Sequence, residues 1–239
     1  EQRLLLEDEG VGFRENGCVD MKKFQWKCGR KEGAMARTIL FILLGYCSGS
    51  VLYALVFARL FKKGDVLTKS KDGNPGTTNA FLYGGFWCGV LTLCCELLKG
   101  AIPVLWYLKG QPVEELGIWS VALVLAAPVF GHLYPVFADF HGGKGIAVTF
   151  GVLLGLVPYW APVLTFCFFF LFYSLIVRVQ PHFYRTVVTY VSMFVTLLFA
   201  WRTKGIVLGF GLICCGVLRR LHESTEKREK MKVGFLWKY

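Results

Sequence analysis

Charge is scarce in this sequence. Asp, Glu, Lys and Arg make up only 18% of its 239 residues, too little to coat a water-soluble domain of that size. Strand-like alternation is missing from its apolar runs, which argues against a transmembrane barrel. No Cys-x-x-Cys pair occurs among the nine cysteines, which are Cys18, Cys28, Cys47, Cys88, Cys94, Cys95, Cys167, Cys214 and Cys215. Most lie inside apolar runs and read as small hydrophobes, not as a disulfide frame or metal site. Gly-x4-Gly-Lys-Ser/Thr is absent, which removes a nucleotide P-loop. No secretory cleavage pattern is found.

What is present is apolar length. Apolar residues reach 55%, and the mean hydropathy is +0.50. They fall in runs at 36–61, 84–108, 118–137, 145–157, 160–177, 186–201 and 205–218. Unbroken runs of this kind predict an all-α fold, a polytopic membrane helix bundle of about seven transmembrane helices. The runs at 145–157 and 205–218 are short for about 30 Å of hydrocarbon. The net charge of +11 is concentrated outside the runs. Cytoplasmic anchoring and attraction to anionic lipid or phosphate account for it, so nucleic acid is not an expected partner. Counting spans puts the amino end outside and the carboxyl end inside. Residues 1–34 read as a leader outside the fold, disordered or from a spurious start, with Met21 or Met35 as the candidate first residue. Residues 35–221 form the membrane domain and 222–239 a basic cytoplasmic tail.

The stretch Gly131-His-Leu-Tyr-Pro-Val-Phe-Ala-Asp-Phe-His-Gly-Gly-Lys-Gly145 organises the rest. An apolar run ends there, Gly142 and Gly143 loosen the backbone, Lys144 adds a cation, and the next run starts after Gly145. At a membrane face this makes a backbone cradle suited to phosphate. A bare Gly-Gly-Lys-Gly serves equally as a tight turn with a positive-inside lysine. A second glycine-broken loop, Asp72-Gly-Asn-Pro-Gly-Thr-Thr-Asn79, follows Lys69 in a lysine-rich segment. Its Asn74, Gly76, Thr77, Thr78 and Asn79 form either a helix cap or a second site for an anion or polyol. Two such loops on one face favour the site. Glu96 and Lys99 lie three apart inside a span, on one helix face. Buried ionisable groups are costly in lipid and usually face a functional interior. Gly49-Ser50 reads first as a close-packing contact. A metal site from His132, Asp139 and His141 is not expected, because a typical site gathers three or four converging ligands.

These motifs together resemble the bacterial acyl-phosphate:glycerol-3-phosphate acyltransferases. The resemblance rests on Gly131-His-x-x-Pro-Val-Phe-x-x-Phe-x-Gly-Gly-Lys-Gly145, Gly73-Asn-x-Gly-x-Thr-Asn79, Glu96-x-x-Lys-Gly100 and Gly49-Ser50, in order across 36–157. It implies a seven-helix enzyme of the bacterial cytoplasmic membrane with its active site facing the cytoplasm. Such an enzyme moves a fatty acyl group from acyl phosphate to the 1-hydroxyl of glycerol 3-phosphate, giving lysophosphatidate and phosphate for phospholipid synthesis. No cofactor is implied, and a monomer is expected. By this resemblance Ser50 matches the family's essential serine and Gly142, Gly143, Lys144 and Gly145 its glycerol-phosphate loop. Lys99, Asn74 and Asn79 occupy positions of polar site residues.

The chain also departs from the family. Its serine is followed by Val51-Leu-Tyr-Ala54 instead of x-Pro-x-Gly. The expected arginine of the first loop is missing, with Thr68 or Lys69 nearest. Arg178 or Arg185 is the candidate replacement. The carboxyl-terminal Arg-His-x-x-Asn is reduced to Arg219, Arg220 and His222.

An acyl phosphate carries its own leaving group, so the enzyme must mainly juxtapose two anions and stabilise an oxyanion. Direct transfer without an acyl-enzyme is expected. The hydroxyl proton goes to a substrate phosphate or to His132, which a structural role near Pro135 would explain equally well. Ser50, Lys99, His132 and Lys144 are the catalytic candidates. Lys69, Asn74, Gly76, Thr77, Thr78, Asn79, Gly142, Gly143 and Gly145 are the binding candidates. The rival reading is a transporter of a phosphorylated solute, against which stands the lack of a repeated glycine loop.

Overall fold

The computed structural model describes residues 28–62, 73–224 and 230–235, with Ser70 and a few positions before residue 20. Lys69 lies outside the described residues. The chain divides into two compact units, 1–37 and 38–239. In the first, Arg3 pairs with Glu7 at 3.0 Å.

The helices are α1 (Cys28–Gly49), α2 (Tyr53–Leu60), α3 (Phe86–Leu108), α4 (Ile118–Leu133), α5 (Ile146–Leu154), α6 (Ala161–Leu171), α7 (His182–Ala200) and α8 (Lys204–Glu223). Thr77–Asn79 forms one helical turn that continues as a π-helical stretch, Ala80–Gly84. A second π-helical stretch, Phe172–Ile176, extends α6. Helix is the form that satisfies every backbone group within one segment, which lipid requires.

Among the described residues, four helices are long and apolar enough to cross a membrane, or five if α1 and α2 count as one bent span. Two of the expected runs fall short. The 145–157 run gives the nine residues of α5, about 14 Å of helix. The 160–177 run gives Ala161–Ile176, about 24 Å. The first run breaks as well: α1 and α2 meet at 41°. Helix α1 also starts at Cys28, ahead of the boundary expected at residue 35.

Small residues set the packing. A Cβ on Gly100 of α3 would meet Val148 O of α5, and one on Gly151 would overlap Leu97 O. The backbones of α3 and α5 therefore run in direct contact, as small residues allow between membrane helices. Gly205 and Gly209 of α8 fit against Val121 and Leu125 of α4 in the same way. Gly49 of α1 abuts the Pro128 carbonyl of α4. Phe166, Tyr190 and Phe210 fill the core between α6, α7 and α8, with Tyr190 stacked on Phe210 at 5.8 Å. Large apolar side chains face outward on α1, α3 and α7, including Leu40, Leu43, Leu91, Leu98 and Phe199. Outward Trp87, Trp106 and Trp119 lie near helix ends, where amphipathic rings suit a membrane interface.

The basic tail holds one feature the apolar pattern does not predict. Strand β1 (Val179–Gln180) pairs antiparallel with β2 (Lys232–Val233). Part of the tail thus returns to the corner just before α7.

Candidate active site

Glu96 and Lys99 come from the same face of α3, as their spacing predicts. Lys99 Nζ lies 2.9 Å from Glu96 Oε2. His132, near the end of α4, brings Nδ1 to 3.0 Å from the same oxygen and to 2.9 Å from Lys99 Nζ. All three side chains are buried. Lys99 Nζ also donates to Val51 O at 2.7 Å. That carbonyl is available because the helix stops at Gly49 and restarts at Tyr53. At His132 Nδ1 the contact with Lys99 has hydrogen-bond geometry. The approach to Glu96 is an ion-pair contact by distance, off the hydrogen-bond direction. Accepting from Lys99 assigns the proton of neutral His132 to Nε2. The Nε2 edge borders Gly143, where an added Cβ would overlap it. Both Glu96 carboxylate oxygens are buried without a hydrogen-bond partner among the described residues, so the carboxylate is held by the ion-pair contacts alone.

Glu96 and His132 line a cavity of about 640 Å³. One wall is the 74–79 loop and Leu93. A second is Lys144, Gly145, Ile146, Ala147 and Phe150. The third is Phe170, Ser174, His182 and Arg185. The two glycine-broken loops therefore meet at one site. In the first, Asn79 Nδ2 donates to Asn74 O at 2.8 Å. The buried Thr77 hydroxyl has no partner among the described residues. In the second, Gly145 has φ +76° and caps α5, whose amino end opens on the cavity. Unpaired N–H groups and the helix dipole make that end favourable to an anion.

The glycine loop is held from three sides. Gly143 N donates to His132 O at 3.1 Å. Arg220 of α8 donates to Gly142 O at 2.8 Å. Tyr190 donates to Thr149 at 2.8 Å, and Thr149 donates to Gly145 O at 2.9 Å. Gly142 and Gly143 are needed for close approach: a Cβ on either would overlap His132, at its carbonyl or at Nε2. One N–H of the expected cradle is thus used internally.

The structure brings Asn74, Gly76, Thr77, Thr78, Asn79, His132, Lys144 and Gly145 to the cavity. Ser50 and Lys99 stand behind it. Ser50 Oγ donates to Tyr46 O at 2.8 Å and accepts from Val136 N at 3.4 Å. Its hydroxyl joins the end of α1 to the Pro135–Val136 turn. Lys99 Nζ hydrogen-bonds Val51 O and His132 Nδ1 and lies within ion-pair distance of Glu96 Oε2. Arg178 and His222 lie outside the cavity lining. Arg178 is at the β1–β2 corner, where its carbonyl accepts from Gly234 N at 3.4 Å, and His222 is exposed near the end of α8. Arg220, two residues before His222, is the carboxyl-terminal residue that reaches the glycine loop. Ser174 and His182 also line the cavity, and no sequence signal marks them.

Apolar helices packed around a partly open cavity, lined by basic and amide side chains as well as apolar ones, define an integral membrane protein. The glycerol-3-phosphate acyltransferase family profile matches residues 39–229, and the chain belongs to that family. A glycerol-3-phosphate acyltransferase of Aliivibrio fischeri (strain MJ11) is 30% identical over 83% of this chain and 95% of its own length. One of Albidiferax ferrireducens is 43% identical over 48% of this chain and 51% of its own. The chain thus spans about half the length of the latter relative. Among solved structures, the crystal structure of PlsY (YgiH), an integral membrane glycerol 3-phosphate acyltransferase, in its glycerol 3-phosphate form superposes with a TM-score of 0.66. It is 28% identical over 78% of this chain and 88% of that one. The lysophosphatidic acid form gives 0.63 and 27% over the same coverage.

Proposed function

We propose that this chain transfers a fatty acyl group from acyl phosphate to the 1-hydroxyl of glycerol 3-phosphate. The observation that carries the reading is the meeting of the 74–79 loop with Lys144 and Gly145 in one cavity, in a chain of this family. Lys144 and the amino end of α5 take a phosphate. Asn74, Thr77, Thr78 and Asn79 offer donors to the glycerol hydroxyls and the acyl carbonyl. The glycerol oxygen attacks the carbonyl carbon, forming the new C–O bond. The bond from that carbon to the phosphate oxygen then breaks, and inorganic phosphate leaves. The hydroxyl proton passes to a substrate phosphate oxygen. With its proton on Nε2, His132 acts as a donor to developing negative charge rather than as the base. The acyl chain lies along Leu93, Ile146, Phe150 and Phe170, entering from the lipid. The enzyme works as a monomer, spans the membrane about seven times counting its short helices, and faces the cytoplasm.

Purified protein incubated with palmitoyl phosphate and labelled glycerol 3-phosphate is expected to form lysophosphatidate without any thioester donor. Flux of the labelled solute into vesicles with no new ester would instead establish transport and overturn the proposal.

A further inference from the structure

The cavity has a cation from outside the 36–157 stretch that carries the resemblance. The segment 61–83 contains no arginine. The first turn of α7 places Arg185 in the cavity wall. Arg185 Nη2 contacts His182 Nδ1 at 2.9 Å, so the imidazole nitrogen accepts and fixes one arm of the fork. Its Nε is buried and has no partner among the described residues. None of the described carboxylates lies within ion-pairing distance of it. Glu96, the one carboxylate lining the cavity among the described residues, is already paired with Lys99. His182 is braced in turn against Phe170, ring to ring at 6.4 Å. An interfacial arginine serving only topology would extend toward headgroups and water. This one is directed inward, with a buried donor left over.

We infer that Arg185, oriented by His182, is a phosphate-binding residue of this cavity. The inference rests on the acyltransfer reading, in which two phosphate-bearing substrates must share one chamber. Lys144 and the amino end of α5 serve one phosphate, and Arg185 takes the other. A guanidinium suits the task because its planar fork binds two phosphate oxygens at once. The phosphate belongs to either acyl phosphate or glycerol 3-phosphate, and kinetics with each substrate varied separately tells them apart.

The test compares wild type with Arg185→Gln, Arg185→Lys and Arg185→Ala, each purified and checked for its thermal midpoint. In Arg185→Gln, KM for one of the two substrates is expected to rise about ten- to hundredfold, the range for losing a charged hydrogen bond. KM for the other should stay within about twofold. Arg185→Lys should recover part of the loss, and added guanidinium should rescue Arg185→Ala. A rise confined to palmitoyl phosphate assigns Arg185 to the donor, and one confined to glycerol 3-phosphate assigns it to the acceptor. Unchanged KM values for both substrates overturn the inference, as does a fall in kcat that tracks a lowered thermal midpoint. Wild-type protein that forms no lysophosphatidate removes the acyltransfer reading itself. An active wild type with an indifferent Arg185→Gln removes only the present inference.

Discussion

Replacing Lys99 by methionine tests the buried charge arrangement behind the cavity. The substitution keeps the apolar stem and removes the ammonium. Glu96 then remains buried with neither Oε1 nor Oε2 facing a cation. At 2.9 Å and an effective dielectric of about 20, the pair's attraction is about 6 kcal/mol before desolvation is counted. Desolvation of both ions offsets much of that, whereas removing one partner leaves the other's burial uncompensated. The expected loss for Lys99→Met is therefore about 3–5 kcal/mol. Adding Glu96→Gln removes the stranded charge, so the double variant should recover most of the loss. Reversible unfolding in mixed micelles, followed by tryptophan fluorescence, measures all four members of the cycle. Activity should fall in both single variants, because His132 Nδ1 loses its donor in one and the pair is broken in the other. A Lys99→Met variant within about 1 kcal/mol of wild type refutes the reasoning. So does a double variant no more stable than the singles.

Lys144→Ala should raise KM for glycerol 3-phosphate about tenfold or more, the loss expected for a charged hydrogen bond; unchanged steady-state kinetics would remove Lys144 from the site. Gly143→Ala should lower kcat as well, since its methyl displaces the His132 ring, and a crystal structure of the variant would report the shift. Tyr190→Phe should cost about 1 kcal/mol by unfolding measurements, because it removes the Tyr190–Thr149 hydrogen bond in the core. Glu114, in the loop between α3 and α4, is held below the usual carboxylate range, first by the hydrogen bond from Tyr159. Its small contribution to stability is present above the unfolded pKa and is lost as pH falls through the lower folded value. Tyr159→Phe should move the Glu114 midpoint upward in an NMR titration.

The lipid-embedded helical bundle was legible because hydropathy reports solvent directly. Glu96 and Lys99 were legible as a pair because helical spacing puts them on one face. The glycines of the 131–145 stretch marked a backbone close approach, and the structure shows Gly142 and Gly143 packed directly on His132. Other features depend on partners distant in sequence. The gap between α1 and α2 lies inside a continuous apolar run, and nothing local announces it. Its stability comes from Lys99, which takes the Val51 carbonyl, and from Ser50, which joins Tyr46 to the next turn. His132 was visible as a site candidate, but its attachment to Lys99 was not. Ser50 and Lys99 are catalytic candidates by resemblance, and the tertiary hydrogen bonds that bury them have no local sequence signal. The hold of Arg220 on Gly142 joins the far end of the chain to the glycine loop, and neither side's periodicity encodes it.

The interruption after Gly49 carries a further consequence. In a continuous helix, the Val51 oxygen would be occupied by the ladder four residues on, and the ammonium of Lys99 would face lipid-depth burial one acceptor short. Straightening this segment, by whatever substitutions favour an unbroken rod, would therefore disturb the acid–base cluster without altering any of its members. The discontinuity is a component of the electrostatics, and a helix-stabilising change there should act on catalysis from a distance.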